Sequence, residues 1–152
     1  MSFISDLALG QYYETKYIMK KKFVDYHHPK NGAFKDYDIK NNETGKSYEV
    51  KADRRTKATG NLFIETKCNG EYSGINATKA TYWIHFICNG EKGNEAFESD
   101  YYYKIPTQKL LNMIKQNGRY IYNVGDGRRV DGITISESYF DEYKHKYEIR
   151  KQ

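Results

Sequence analysis

Two short segments in which polar and apolar side chains alternate, with a turn between them, constrain the fold more than any other feature of this chain. The first is Asp36-Tyr37-Asp38-Ile39-Lys40 and the second is Tyr48-Glu49-Val50-Lys51-Ala52-Asp53. Such alternation is typical of half-buried strands, whose successive side chains point to opposite faces of a sheet. The intervening Asn42-Glu43-Thr44-Gly45 reads as a turn. The sequence therefore predicts a hairpin of two neighbouring strands.

The register of this hairpin decides which side chains share a face. If the hairpin centres on Glu43-Thr44, Asp38 lies opposite Glu49, with Cβ atoms about 5 Å apart. A slip of one residue, such as a bulge at Gly45 would introduce, sends Glu49 and Lys51 to the face opposite Asp38. We predict the unslipped register. The side chains that then face the core are Tyr37, Ile39, Tyr48, Val50 and Ala52.

In this register two acids and an amine, Asp38, Glu49 and Lys51, share one face. Two carboxylates at such a short distance repel each other unless a cation lies between them. A hard cation such as Mg²⁺ prefers oxygen ligands and keeps several waters for exchange with substrate. The spacing therefore predicts a metal site suited to phosphodiester cleavage. The alternative is an ordinary solvent-facing strand pair, because the pattern E-x-K is common in a chain with 30% charged residues.

The order of these residues resembles the PD-(D/E)xK nuclease superfamily, which includes restriction endonucleases, Holliday-junction resolvases and many phage nucleases. Asp38 precedes Glu49-Val50-Lys51 on the next strand, and both follow a predicted N-terminal helix that contains Glu14. The resemblance extends to Asn61-Leu62-Phe63-Ile64-Glu65, which is similar to the third core strand of the family. The chain departs from the family at Tyr37, which replaces the proline, and at Thr78-Lys79-Ala80-Thr81, where a long helix is usual but one turn at most is expected.

The resemblance implies one α/β domain of the restriction-endonuclease type over residues 1–152, with a central mixed β-sheet flanked by helices. It also implies a Mg²⁺-dependent endonuclease that hydrolyses DNA to 5′-phosphate ends, with Mn²⁺ as a substitute. Asp38, Glu49 and the main-chain carbonyl of Val50 would hold the ion, and Lys51 would position and help deprotonate the attacking water. Glu14 and Glu65 are secondary candidate ligands. Each has a plain alternative, a helix glutamate bonded to Gln11 for Glu14 and a surface residue for Glu65.

The expected substrate is duplex or branched DNA, and cutting both strands would require a homodimer related by a two-fold axis. Two other function classes stay open. One is a metal-dependent RNA endonuclease with the same site. The other is a non-catalytic nucleic-acid-binding or inhibitor protein on a degenerate nuclease scaffold.

A net charge of +5 and a pI near 9.0 favour a polyanionic partner, because neutralised phosphates release counterions. Arg54, Arg55 and Lys57 directly follow the second strand of the hairpin, where a bound backbone would pass, and we predict that they contact phosphates. Ser73 and Lys79 are weaker candidates at a predicted turn or helix start. The alternative for the basic clusters is a merely solvated surface.

Composition excludes several other classes. The 152 residues fit one domain, and 16 tyrosines argue against disorder. No apolar run reaches the length of a membrane span and no signal peptide opens the chain, so we expect a cytoplasmic protein that has no membrane partner. The two cysteines and four histidines lack zinc-ligand spacing, and we assign the histidines no chemistry.

Hydrophobic periodicity and turn residues predict the remaining elements. They are a helix over the first 23 residues, strands at Asn61–Thr66, Tyr82–Ile87, Tyr101–Ile105 and Gly132–Ser136, turns at Asn69-Gly70 and Gly125–Arg129, a short turn or helix at Asn76–Ala80, a helix from Thr107 that ends at Asn117-Gly118, and a helical stretch at Ser138–Tyr147.

Overall fold

The computed structural model describes residues 26–27, 36–88, 101–124 and 129–146. The predicted N-terminal helix, with Glu14, lies outside these ranges, as does most of the predicted turn at Gly125–Arg129. The strands are β1 (Tyr26–His27), β2 (Ile39–Asn41), β3 (Ser47–Asp53), β4 (Asn61–Cys68), β5 (Glu71–Tyr72), β6 (Tyr82–Ile87), β7 (Tyr101–Pro106), β8 (Arg119–Val124), β9 (Val130–Ser136) and β10 (Lys144–Lys146). The helices are α1 (Thr56–Thr59), α2 (Thr107–Asn117) and two 3₁₀ helices at Gly74–Asn76 and Glu137–Tyr143.

The described strands form two sheets in a mixed α/β fold. Sheet A has the order β1-β2-β3-β6-β7-β10 and is mixed, because β3 and β6 are parallel while its other neighbours are antiparallel. Sheet B has the order β5-β4-β9-β8 and is antiparallel throughout. The mixed sheet and the α/β class were predicted. The expectation of one central sheet is corrected. Asn61–Glu65 forms a strand as predicted, but the strand belongs to sheet B, because its main chain pairs with the distant β9 rather than with β3.

The hairpin of β2 and β3 has the unslipped register. Ile39 pairs with Tyr48 and Lys40 with Ser47, which sets Asp38 across from Glu49. Gly45 has a φ of 75° and donates its N–H to the Asn41 carbonyl at 2.8 Å, so it serves the turn and introduces no bulge into the pairing. The predicted register is confirmed.

Both faces of sheet A are apolar. One face carries Ile39, Tyr48, Val50, Ile84, Phe86, Cys88 and Tyr102, with Ala52 and Tyr82 at its margin. The other face joins sheet B and α2 through Leu62, Ile64, Ile75, Trp83, Ile87, Tyr103, Ile105, Leu110, Ile114, Ile133, Ile135 and Phe140. Ile39, Tyr48 and Val50 therefore lie in the core, as the alternation predicted. Glu49, Lys51 and Asp53 point to the opposite face of β3, toward sheet B.

Elements with strong local signals have their predicted bounds. β6 and α2 match their predicted bounds. α2 ends before Gly118, a position that has no room for a side chain because one would collide with Ile133 and the Ile114 carbonyl. Asn69 and Gly70 turn with φ values of 52° and 83°. The helical prediction for Ser138–Tyr147 is confirmed over residues 138–143, which lie in a 3₁₀ helix, and is wrong over Lys144–Lys146, which forms β10 paired to β7. Tyr147 lies outside the described residues. β8 was not predicted. None of the helices in the described ranges is long and apolar enough to cross a membrane.

Candidate active site

The three predicted catalytic side chains meet where β2 begins and β3 runs beside it. Lys51 Nζ lies 3.0 Å from Glu49 Oε2, which is an ion pair between neighbouring positions on one face of β3. Asp38 Oδ2 accepts the Val50 N–H at 2.8 Å, while the Asp38 N–H donates to the Tyr48 carbonyl at 2.9 Å. The carboxylate of Asp38 is thus fixed against the main chain of β3, within electrostatic reach of both Glu49 and Lys51.

Burial and mutual repulsion make this cluster unusual. Glu49 is only 7% exposed. Burial raises the pKa of Glu49 above its ordinary value, and the charge of Asp38 raises it further, whereas Lys51 and Thr78 oppose the shift. Burial alone would lower the pKa of Lys51, but the carboxylates of Glu49 and Asp38 outweigh it and raise that pKa. The site therefore holds two acids that favour an additional positive charge nearby.

The segment after the 3₁₀ helix Gly74–Asn76 fixes the other side of Glu49. Thr78 Oγ1 lies 3.0 Å from Glu49 Oε1, to which it donates, and 3.2 Å from the Asp36 carbonyl. The Lys79 N–H donates to the same carbonyl at 2.7 Å, and Lys79 Nζ extends into solvent 4.0 Å from Asp36 Oδ1. Lys79 therefore lies beside Asp36, and its predicted phosphate contact stays a prediction. Thr78 was missed, because nothing local in the sequence links it to a strand so far upstream.

Sheet B contributes to the same region through Glu65. Its negative charge acts on Lys51 and helps to raise the pKa of that lysine, after the larger effects of Glu49 and Asp38. Gly74 packs on the Glu65 carbonyl so closely that no side chain could replace its hydrogen. The loop that starts at Ser73 thus joins Glu65 to Glu49. The Ser73 N–H donates to the Thr66 carbonyl at 3.0 Å and so is not available to a phosphate.

The donor set suits a hard cation that keeps its waters. Because a strand residue presents its N–H and C=O on the same edge, the Val50 carbonyl faces the β2 side, where Asp38 lies. Two carboxylates and a carbonyl match the way Mg²⁺ binds, through one or two carboxylates with several waters retained. Across residues 36–88, 101–124 and 129–146 no three His, Cys, Asp or Glu side chains could hold a metal together. A site closed by protein ligands alone, as for structural zinc, does not fit.

The predicted phosphate contacts lie at the other end of β3. Arg54 and Arg55 follow the strand and Lys57 lies in α1. At about 3.3 Å per residue, Arg54 is roughly 16 Å along the chain from Glu49. The structure therefore does not bring these basic residues into the acid cluster, and only a ligand that extends along β3 could contact both.

A hydrogen-bonded chain that the sequence did not reveal lies at that end of β3. Trp83 Nε1 donates to His85 Nδ1 at 3.0 Å, and His85 Nε2 lies 2.8 Å from Asp53 Oδ2. Because Nδ1 accepts a hydrogen bond, the imidazole proton is on Nε2, and a neutral His85 donates to Asp53. Asp53 also accepts the N–H groups of Arg55, Thr56 and Phe63 at 2.9 to 3.1 Å.

This chain connects the two sheets and supports Lys51. Phe63 belongs to β4, so Asp53 joins sheet A to the edge of sheet B. Burial alone would raise the pKa of Asp53, but the bond from His85 and the three amides hold it well below its ordinary range. Lys51 Nζ lies 5.7 Å from the centre of the Trp83 ring, so the ring that His85 orients lies under the ammonium. Alternation places Trp83 and His85 on one face, but their partner Asp53 is on another strand.

Comparison with known proteins adds no relative, because no family model, no curated protein and no solved structure matches this chain. The resemblance to the PD-(D/E)xK nucleases rests on residues of this chain, chiefly on Asp38, Glu49, Lys51 and their arrangement.

Proposed function

We propose that this chain is a Mg²⁺-dependent endonuclease of the PD-(D/E)xK type that hydrolyses phosphodiester bonds in DNA. One observation carries the proposal. The ion pair of Glu49 and Lys51, 3.0 Å apart, lies beside the carboxylate of Asp38 on the adjoining strand. An ordinary solvent-facing pair of strands would expose these acids, whereas Glu49 is buried and shares its surroundings with Asp38.

In this proposal Asp38, Glu49 and the Val50 carbonyl hold the cation, which when bound supplies Lewis acidity and an activated water. The raised pKa of Glu49 supports the assignment, because it results first from burial and then from the charge of Asp38, and a divalent cation would offset both. Lys51 keeps its proton at neutral pH, and its ammonium, which lies beside Glu49, orients the attacking water. Its charge also offsets the charge that develops on the phosphoryl oxygens.

The substrate class follows from charge. The chain carries a net charge of +5, and Lys79 projects into solvent beside Asp36. A nucleic-acid backbone that follows β3 away from Glu49 would reach Arg54, Arg55 and Lys57. Cutting both strands of a duplex or of a junction would need a second copy, so we propose a homodimer as the active form, in the cytoplasm.

The test is cleavage by purified protein. Plasmid DNA, a four-way junction and single-stranded RNA are each incubated with Mg²⁺, with Mn²⁺ or with EDTA. Cleavage of either DNA with Mg²⁺ and its loss with EDTA would support the proposal, and Mn²⁺ is expected to substitute. Cleavage of RNA with none of DNA would select the RNA endonuclease, which has the same site.

A second candidate is a nucleic-acid-binding or inhibitor protein without turnover. The observation that favours it is the pairing itself: Lys51 and Thr78 already occupy both oxygens of Glu49, and the described residues lack a three-ligand metal group. Salt-sensitive binding of DNA with no cleavage under any metal condition would select this function.

A further inference from the structure

Two exposed tyrosines lie side by side on β8, at the edge of sheet B. Tyr120 is 62% exposed and Tyr122 is 67% exposed, which is high for rings of this size. Their planes are within 10° of parallel and their centroids are 6.2 Å apart. β8 is the last strand in the order of sheet B, with β9 as its only described neighbour. These rings therefore offer flat apolar faces to a ligand.

The stretch of chain that carries the two rings is basic and contains no acid, and Asp131, across the ladder on β9, is buried. From 107 to 124, through α2 and β8, the sequence has Lys109, Lys115 and Arg119 but no Asp or Glu. Arg119 starts β8, and at the other end Arg129 precedes Val130, which pairs with Val124. Arg119 and Arg129 are both exposed. Arg119 and Arg129 thus lie in the chain beyond the two ends of the pair of rings, and the Arg119 side chain leaves the edge strand on its alternate face.

The spacing of the rings suits a planar ligand. Side chains two residues apart on a strand repeat at about 6.6 Å. That is roughly twice the 3.4 Å rise of stacked bases, so a flat ring could lie against either tyrosine or between them. Bases have π faces whatever their sequence, and single strands leave those faces free. A duplex hides them inside its own stack.

We propose that Tyr120 and Tyr122 form a stacking platform for the bases of a single-stranded nucleic acid, whose phosphates Arg119, Lys115 and Arg129 contact. The proposal shares with the proposed nuclease only the class of ligand, and the platform is a separate surface on sheet B. The other occupant of an exposed edge strand is a second copy of this chain, paired through β8. The shared positive charge of this stretch opposes that pairing and favours a polyanion.

The test is equilibrium binding in EDTA, followed by fluorescence anisotropy. The probes are a short deoxyadenosine oligonucleotide, an abasic strand of the same length, and the duplex form of the first. The double variant Tyr120→Ala/Tyr122→Ala is expected to weaken binding of the single strand by about tenfold for each ring removed. Tyr120→Phe/Tyr122→Phe keeps both ring faces and is expected to stay within about twofold of wild type. Tyr72→Ala is the matched control, since Tyr72 is 63% exposed on β5 at the opposite edge of sheet B.

Two results overturn the platform. One is a double alanine variant that binds the oligonucleotide as tightly as wild type does. If light scattering also shows that this variant no longer dimerises, the two tyrosines form a dimer contact and not a platform. The other is an equal loss of affinity for the abasic strand, which would mean that the tyrosines act through the phosphates or the fold. Cleavage with Mg²⁺ is scored separately on the same proteins. If only the nuclease proposal fails, the wild-type protein binds the single strand through the two tyrosines but cleaves nothing. If only the platform fails, the wild-type protein cleaves DNA and the double alanine variant binds the single strand with unchanged affinity.

Discussion

Glu49 and Asp53 lie on the same face of β3, each 7% exposed, yet their environments act on them in opposite directions. The pKa of Glu49 is raised, because burial and the neighbouring Asp38 disfavour its charge. The pKa of Asp53 is lowered despite burial, because His85 and three main-chain amides donate to it. One acid is held as an anion by donors on every side, while the other shares its space with a second acid.

The difference separates a structural carboxylate from a candidate catalytic one. Among the described residues, the Asp53 carboxylate bonds to groups on β4, on β6 and at the start of α1, so its charge holds the two sheets together. Glu49 has one hydroxyl and one ammonium as partners, with Asp38 beside it. A buried carboxylate whose charge is incompletely compensated favours binding of a cation, which is why perturbed acids concentrate at functional sites.

The largest effect is expected from neutralising the incompletely compensated acids. Asp38→Asn and Glu49→Gln should each reduce Mg²⁺-dependent cleavage below detection, by more than about 10⁴-fold or about 5 kcal/mol. Both should remain folded, because the amide oxygen in Asp38→Asn still accepts the Val50 N–H and because removing one of two like charges relieves repulsion. The measurements are plasmid cleavage and thermal unfolding on the same preparations. Wild-type turnover in either variant would place the site elsewhere.

The second largest effect is expected at Asp53, at the other end of β3, and it concerns the stability of the fold rather than cleavage. Asp53→Ala should lower the free energy of unfolding by about 4 kcal/mol, because it leaves a buried imidazole N–H and three amides without an acceptor. Asp53→Asn keeps one acceptor oxygen and should cost about half as much. Urea denaturation measures both. If Asp53→Ala cost no more than Glu49→Ala, the contrast between the two acids would not hold.

Lys51→Ala tests the cluster with a smaller change. An ammonium that acts mainly on the transition state should lower the single-turnover rate about a hundredfold, or about 3 kcal/mol, with little change in DNA affinity. Lys51→Arg should not restore the full rate, because a guanidinium is bulkier and planar and does not place the compact charge of an ammonium beside the water. Rapid-quench kinetics and binding in EDTA separate the two quantities. Equal losses of rate and affinity would make Lys51 a phosphate contact.

Acid titration of stability should show the two carboxylates with opposite signs. The folded pKa of Asp53 lies below its unfolded value of 3.8, so its contribution is present above that pH and is lost as the pH falls further. The folded pKa of Glu49 lies above its ordinary 4.5, so stability is gained as the pH falls through that raised value toward 4.5. Each of the two carboxylates changes the slope of the unfolding free energy against pH by at most about 1.4 kcal/mol per pH unit.

Unfolding free energies of wild type, Glu49→Gln and Asp53→Asn, measured from about pH 3 to about pH 8, resolve the two contributions. Glu49→Gln should remove the gain above pH 4.5, and Asp53→Asn should flatten the loss below 3.8. If the two variants departed from the wild-type curve in the same pH range, the opposite pKa shifts assigned to Glu49 and Asp53 would be contradicted.

Local patterns predicted the part of the fold that depends on neighbours in sequence. Alternation and the turn at Gly45 were enough to set Asp38 opposite Glu49, and Thr107 and Gly118 bounded α2. The sequence did not predict that Asn61–Cys68 would leave the hairpin for a second sheet, because its partner β9 lies far along the chain. The same limit hid Thr78 and the bond from His85 to Asp53. Over residues 144–146 the helical prediction failed, because pairing with β7 outweighed a helical pattern.

The long separation between β4 and β9 also determines the order in which this chain can assemble during synthesis. The β2–β3 hairpin joins adjacent segments, so Asp38 and Glu49 can meet transiently soon after they leave the ribosome, and the hairpin is secured when β6 adds to β3. β4 then has only the two-residue β5 as a partner, and so short a hairpin is marginal in water. It gains its main neighbour when Val130 and the rest of β9 emerge. If the chain is the proposed nuclease, the acid pair can form before β4, which carries Glu65, is secured, and we expect cleavage to begin only when β9 docks on β4.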